Sequence, residues 1–258
     1  MILAPLIKQL IGTLWYLLPI LILAALFKSS WFKGVMGEFI VNVAAKLMLD
    51  KNEYHLIKNV TLPTEDGTTQ IDHVIVSKFG LFVVETKNMK GWIFGNPKQG
   101  QWTQKIFKHT SKFQNPLHQN YKHVKTLETL LGLSEQQINS LIVFVGDSTF
   151  KTEMPPNVTH GIGYIRFIKS KTTPVLSAAE VKDIVSKIAN GRLTPSFKTS
   201  RDHVAHVKNI VSEKQSTAGC PKCGSVMVMR EVSKGANKGS KFLGCSQYPQ
   251  CRGVLSVA

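Results

Sequence analysis

Residues 69–88 read TQIDHVIVSKFGLFVVETKN. Two β-rich runs, Gln70 to Val76 and Leu81 to Lys87, flank a short loop containing Gly80, and the pattern predicts a β-hairpin. Both runs consist largely of Val, Ile, Leu and Phe, as strands buried within a sheet do. Charged groups interrupt them: Asp72 in the first, Glu85 and Lys87 in the second. Glu85 and Lys87 are two positions apart, so along a strand they share one face. Asp72 joins that face if the loop has an even number of residues, and the odd separation of 13 positions between the two acids is compatible with that. Two carboxyl groups and an ammonium in apolar strands cost stability unless something compensates them. A divalent cation would do so. Asp72 and Glu85 offer the hard oxygen ligands that Mg²⁺ or Mn²⁺ takes alongside waters and a substrate phosphate.

That set of groups suits phosphodiester hydrolysis, which needs an activated water and neutralised charge on the phosphate. A metal supplies both, and Lys87 would polarise the water or stabilise the charged transition state. The competing reading is a structural Glu–Lys pair beside an edge Asp. On the bare Asp…Glu-x-Lys pattern that reading is the better one, because so short a pattern recurs by chance. The flanking sequence has to decide.

Upstream, Phe39, Ile40, Val43, Leu47 and Met48 recur at helical spacing and predict a helix over Gly37 to Leu49, with Glu38 in its first turn. Glu38 could reach the hairpin as a third acid. Tyr54 to Leu62 reads as a strand and residues 64–67 as a turn. Downstream, Gly91 to Trp102 suggests short strands and Pro116 to Leu131 a helix. Leu141 to Val145 suggests a buried strand, and Tyr164 to Phe167 a further one. Ser177, with Glu180 three residues on, marks a capping box before a helix ending near Ala189.

Taken in order, these residues resemble the nuclease-related domain called NERD. The match rests on Gly37-Glu38, Thr69-Gln70-Ile71-Asp72-His73-Val74, Gly80 through Asn88, Gly91, Trp102-x-Gln104 and Asn115-Pro116-Leu117-x-Gln119-Asn120. It runs from about Val35 to Val145. The family resembles a divergent branch of the PD-(D/E)xK nucleases, which implies an α/β fold: a restriction-endonuclease-like mixed sheet flanked by helices. It also implies catalytic roles for Glu38, Asp72, Glu85 and Lys87, with Asp72 and Glu85 on a catalytic Mg²⁺ or Mn²⁺. Gln104 and Gln119 fall in the later motifs and would line the site. His73, Asn88 and Asn115 read as structural, since hydrogen-bonding roles near strand ends are common.

The four cysteines all lie in the last 39 residues, so they form no disulfide framework for the whole chain and read as a local metal site in a reducing compartment. Cys220 and Cys223 form a C-x-x-C knuckle; after 21 residues come Cys245 and Cys251, with five residues between them, Pro249 included. Two such pairs can close a tetrahedral Zn²⁺ site with no open position, which makes the zinc structural. So short a segment has little core of its own and would draw most of its folding energy from the metal. Cys220 to Val257 closely resembles the C-terminal zinc ribbon of bacterial type IA topoisomerases, a module that in that family binds DNA, preferably single-stranded. Arg230, Lys234, Lys238, Lys241 and Arg252 would contact phosphates, and Phe242 and Tyr248 would stack on bases or pack internally. The chain has no room for a topoisomerase catalytic domain, so strand passage is not expected.

At the other end, Leu10 to Phe27 is uncharged over 18 residues, a helix of roughly 27 Å and close to the hydrocarbon thickness of a bilayer. Trp15, Tyr16 and Trp31 lie near its ends, and Lys28 and Lys33 follow it, against Lys8 and the amino terminus before it. That bias favours a single-pass membrane protein whose C-terminal domains face the cytoplasm. The organisation expected is an anchor over 1–33, a nuclease-like domain over 34–194 with its motif core at 35–150, a basic linker over 195–217 and a ribbon over 218–258. With 32 Lys and Arg against 16 Asp and Glu, the formal charge is +16, which fits an anionic partner, DNA foremost. A membrane-anchored, metal-dependent nuclease is the leading expectation. The alternative is a non-catalytic tether holding DNA at the membrane. A surface that merely binds anionic lipid would make no use of the ribbon.

Overall fold

The computed structural model describes residues 17–64, 67–193, 219–232, 239 and 241–256. The start of the expected anchor (1–16), the linker at 195–217, Lys234, Lys238 and the side chain of Lys241 lie outside the described residues. Two compact units divide after Leu193, the first holding the residues up to that point apart from 65–68.

In the first unit, helix α1 (Leu17–Lys28) meets α2 (Ser30–Met48) at 61°. Ser29 makes the break: its hydroxyl accepts from the Phe32 N–H and caps the new helix. Helix α2 therefore starts seven residues before the expected Gly37, and Glu38 sits in mid-helix rather than in the first turn. Among the described residues no single helix is long and apolar enough to cross a membrane; α1 and α2 meet that length and composition only as a bent pair.

The central sheet has the order β1-β2-β3-β7-β9, formed by His55–Thr64, Gly67–Ser77, Gly80–Asn88, Ile138–Val145 and Val158–His160. β2 and β3 pair antiparallel, whereas β3–β7 and β7–β9 are parallel, so the sheet is mixed as expected. Leu81, Val83, Val74 and Val76 face α3 (Pro116–Leu131) and α5 (Ala178–Gly191). Ile75, Phe82 and Val84 face α2 and α4 (Gly163–Lys169). Burial on both faces is why these strands read as continuous apolar runs. A second sheet, β6-β5-β4-β8, comprises His109–Gln114, Gln101–Ile106, Gly91–Phe94 and Ser148–Phe150.

The capping box of α5 forms, with Ser177 accepting from the Glu180 N–H and Glu180 from the Ser177 N–H. One expected strand, Tyr164 to Phe167, is instead helix α4. Its buried residues Tyr164, Ile165 and Ile168 recur at helical spacing, and a four-residue apolar run cannot separate the two periods.

Helix α2 comes unusually close to the sheet at Gly37. A Cβ there would stand 2.8 Å from Asn88 Cβ and 3.2 Å from Val145 Cγ2. Asn88 donates its side-chain amide to the Lys33 carbonyl at 2.6 Å, fastening α2 to the end of β3. That contact brings Glu38 to the end of the sheet where the acids lie.

The second unit is a three-stranded antiparallel sheet of β10 (Met227–Glu231), β11 (Lys241–Cys245) and β12 (Val254–Ser256). Its small core consists of Met227 and Leu243 with Cys220 and Cys245.

Candidate active site and cysteine cluster

The β2–β3 ladder runs from Ser77↔Gly80 to His73↔Val84, closed by the two-residue turn Lys78-Phe79. Continuing that register sets Asp72 opposite Glu85. Backbone pairing gives way there to a side chain: the Thr86 N–H donates to Asp72 Oδ2 at 2.8 Å. β3 stays paired to β7 through Asn88. The hairpin opens where its acids stand, and one carboxylate takes over a ladder position.

Glu85 is 3% exposed. Its Oε1 accepts from Lys87 Nζ at 2.7 Å, and the same ammonium donates to Gln119 Oε1 at 2.9 Å. Its Oε2 lies 3.4 Å from His123 Nε2 but has no hydrogen-bond partner. His123 Nδ1 is 2.8 Å from the Thr69 hydroxyl. Gln119 and His123 are four residues apart on α3 and so share a helix face.

The charges are tightly interdependent. Burial pushes the Asp72 carboxyl well above the usual aspartate range; the Glu85 charge adds to this and the Thr86 N–H opposes it. Glu38 is raised by burial and then by Glu85. Burial would raise Glu85 as well, but Lys87 and then His123 outweigh it and hold Glu85 below its ordinary value. The result is one secured carboxylate beside two acids that resist ionisation, the environment a divalent cation relieves.

The donor chemistry fits a hard cation held by Asp72 and Glu85, with an unsatisfied, buried Glu85 oxygen beside them. Among the described residues only the cysteines gather three or more His, Cys, Asp or Glu ligand atoms closely enough to surround an ion.

Of the residues expected from sequence, Asp72, Glu85, Lys87 and Gln119 come together, and Glu38 lies within electrostatic reach. Gln104 lies on β5 and gives its amide to the Lys90 carbonyl at 2.8 Å; among the described residues no hydrogen bond joins it to the acids. Asn115 caps α3 and donates to the carbonyls of Pro97 and Gln99, a structural role. His73 faces away from Asp72 into the core, with neither ring nitrogen hydrogen-bonded. Sequence reasoning missed His123 and Thr69 as partners. The four-residue step from Gln119 to His123 was the available signal.

In the second unit, Cys220 Sγ lies 3.6 Å from Cys251 Sγ and Cys223 Sγ 3.4 Å from Cys245 Sγ, and all four sulfurs lie within 4.8 Å of one another. Sulfurs at ~2.3 Å from a tetrahedral zinc stand roughly 3.8 Å apart, so the cluster fits that ion. The Gln247 N–H points at Cys245 Sγ at 3.4 Å, as suits a thiolate. Gly253 closes the site: a Cβ there would meet Cys220 Sγ at 2.2 Å. Of the expected DNA contacts, Tyr248 is 57% exposed with the Arg230 guanidinium 5.3 Å from its ring centroid. Arg252 is exposed and Phe242 half-buried.

The first unit thus presents paired acids and a lysine at an opened hairpin of a mixed sheet, the arrangement expected of a nuclease-related domain, and the second gathers four cysteine sulfurs beside a three-stranded sheet. Comparison agrees: the chain carries a nuclease-related domain, NERD, matched over residues 33–145, and a topoisomerase DNA binding C4 zinc finger over residues 218–258. An uncharacterized protein of Bacillus anthracis is 51% identical over 108 residues, which are 42% of this chain and 49% of that protein. The chain thus spans about half the length of the curated relative it matches.

Proposed function

We propose that the protein is a membrane-associated, divalent-metal-dependent nuclease that hydrolyses DNA phosphodiester bonds, its zinc ribbon holding the strand. The observation that carries this reading is the opened hairpin, where Asp72 and Glu85 oppose each other and Lys87 bridges Glu85 to Gln119. Asp72 and Glu85 would hold the Mg²⁺ or Mn²⁺, and Glu38 adds negative charge beside them. Bound there, the metal supplies charge neutralisation at the phosphate and acidifies water. The Thr86 N–H fixes one Asp72 oxygen and leaves the other for the cation. Gln119 aims the Lys87 ammonium, which stabilises the developing phosphorane charge. Burial excludes bulk water and strengthens each of these interactions.

Membrane attachment is supported by α1, where Leu17, Leu18, Ile20 through Leu23, Leu26 and Phe27 are all exposed. It is supported further by the outward side of α2. Val35, Met36, Phe39, Ile40, Val43 and Leu47 are exposed there, and Leu47 reaches 81%. Apolar exposure of that extent marks a membrane or partner surface. Lys28 and Lys33 flank the bend and favour cytoplasmic C-terminal domains.

One observation favours the second reading, a non-catalytic DNA tether: Glu85 is already neutralised in place by Lys87. The deciding experiment incubates the detergent-solubilised full chain with labelled DNA and RNA, each with Mg²⁺, Mn²⁺ or chelator. Glu85→Ala and Lys87→Ala run alongside. Metal-dependent cleavage lost in both variants supports the nuclease. Salt-sensitive binding with no cleavage under any metal supports the tether.

A further inference from the structure

The second sheet has an outer face that neither the acidic site nor the ribbon accounts for. Ile93, Trp102 and Phe113 point inward to the core with Phe144. Alternation along the strands turns Trp92, Lys105, Thr110 and Thr149 the other way, and the register aligns them in one row across four strands: Thr149↔Trp92, Trp92↔Lys105, Lys105↔Thr110. Lys112 lies two residues beyond Thr110 on the same face.

Trp92 is 48% exposed, an unusual place for an indole. Two ammonium groups approach its ring, Lys151 at 4.8 Å and Lys105 at 5.9 Å from a centroid. Among the described residues neither lysine, nor Lys112, nor Lys108 has a carboxylate partner; every ion pair lies elsewhere. Lys105 and Lys151 rest instead over the face of the indole. At the tip of the β5–β6 hairpin, next to Lys108, Phe107 is 92% exposed with φ of +50°. A bulky side chain held in the left-handed region and presented to solvent is uncommon, and such strain concentrates at functional positions.

We propose that this face, Trp92 with Lys105, Lys112 and Lys151 and with Phe107 at its rim, is a second nucleic-acid site that grips single strands. Lysines with no carboxylate partner among the described residues attract a polyanion, although Glu153 lies at one edge of the face beside Phe94 and Thr103, and the exposed rings select one whose bases are free to stack. Phosphates draw Lys105 and Lys151 off the indole, and a base takes the surface they leave. A duplex offers phosphates to the lysines but no free base to Trp92, so the site discriminates by strandedness. The inference rests on the reading of the protein as one that binds nucleic acid. It adds a contact on the nuclease-related domain itself.

The test measures binding of the full chain, zinc-loaded and without Mg²⁺, to a fluorescent oligothymidylate and to a blunt DNA duplex. Trp92→Ala, Trp92→Phe, Lys105→Ala/Lys151→Ala and Tyr248→Ala are compared, with thermal melts confirming the fold. Trp92→Ala is expected to weaken single-strand binding by about tenfold or more, with duplex binding changed far less and Trp92→Phe restoring most of the loss. The double lysine variant should flatten the dependence of log affinity on log salt by about 0.7 for each phosphate that the lysines no longer neutralise. Tyr248→Ala should add to Trp92→Ala, since the ribbon binds separately. If the wild type binds and Trp92→Ala binds equally well, this site is refuted and the ribbon carries the binding. Equal loss on duplex and single strand refutes the strand selectivity. Loss of binding to anionic vesicles with single-strand binding unchanged reassigns the face to lipid. If the wild type binds neither probe, the nucleic-acid reading itself fails.

Discussion

The Lys87 ammonium stands 2.7 Å from Oε1 of Glu85, a carboxyl group almost wholly removed from solvent. Burial alone would raise the Glu85 pKa; Lys87 is the largest of the influences that bring it below the ordinary value. Replacing Lys87 with Met removes that influence and leaves His123 alone to oppose burial, so the Glu85 carboxyl titrates higher. Lys87→Met is expected to lower cleavage by about a hundredfold or more and to move the acidic limb of the pH–rate profile upward. Gln119→Leu keeps the charge and removes its aim, so a smaller decrease of about tenfold is expected. Single-turnover rates across pH measure both.

Asp72 behaves oppositely, since its folded-state pKa is raised by burial and by Glu85. In Mg²⁺-free protein its ionisation opposes folding. Stability falls as pH rises from the unfolded-state value towards the folded one, and the deficit persists above both. Asp72→Asn should therefore raise the Mg²⁺-free melting temperature at neutral pH by a few degrees while abolishing cleavage, since ~1 kcal/mol shifts a chain of this size by a few degrees. Apparent Mg²⁺ affinity of the wild type should rise with pH, because binding displaces the Asp72 proton.

His73 sets an acid limit on the fold. It is wholly buried, and burial lowers its pKa from 6.5 to about 4. The unfolded chain binds the proton first, so stability contributed by the neutral ring is full above pH ~6.5 and is lost as pH falls towards ~4. The decrease over that window is on the order of 3 kcal/mol. His73→Phe should flatten the dependence of melting temperature on pH between those values, and an unchanged slope would assign the acid sensitivity to another group.

Gly253 is the tightest point of the ribbon. Gly253→Ala drives a methyl group into Cys220 Sγ, so the variant should lose zinc, measured by a colorimetric chelator, and with it the fold of the second unit. Melting of the first unit should be unaffected.

The exposed side of α2 predicts behaviour at lipid. The full chain should float with phospholipid vesicles, and Phe39→Glu/Leu47→Glu should reduce flotation without lowering the melting temperature, both residues being exposed. Equal flotation would leave α1 as the whole of the attachment.

Much of the active site was legible because hairpin parity is a local rule. A two-residue turn and a period of two put Asp72, Glu85 and Lys87 on one face without any knowledge of the rest of the chain. The cysteine spacing was equally local. What escaped was set by distant packing. The Lys87–Gln119 hydrogen bond joins residues 32 positions apart, and His123 enters only through the rotational phase of α3 against the sheet. The start of α2 was hidden because composition changes near Gly34 while the helix runs straight through, although the Ser29 cap was there to be read. The Trp92 row was invisible because four strands contribute one or two residues each.

The amide of Asn88 ties the sheet to helix α2, and it sits one residue past Lys87. No loop separates the two to take up slack. A push or tilt imposed on α2 from outside would travel through that rivet to the strand bearing Glu85 and Lys87, so the acid-bearing end of the hairpin is mechanically continuous with whatever α2 rests upon. A force on α2 would therefore act directly on the spacing of those two side chains.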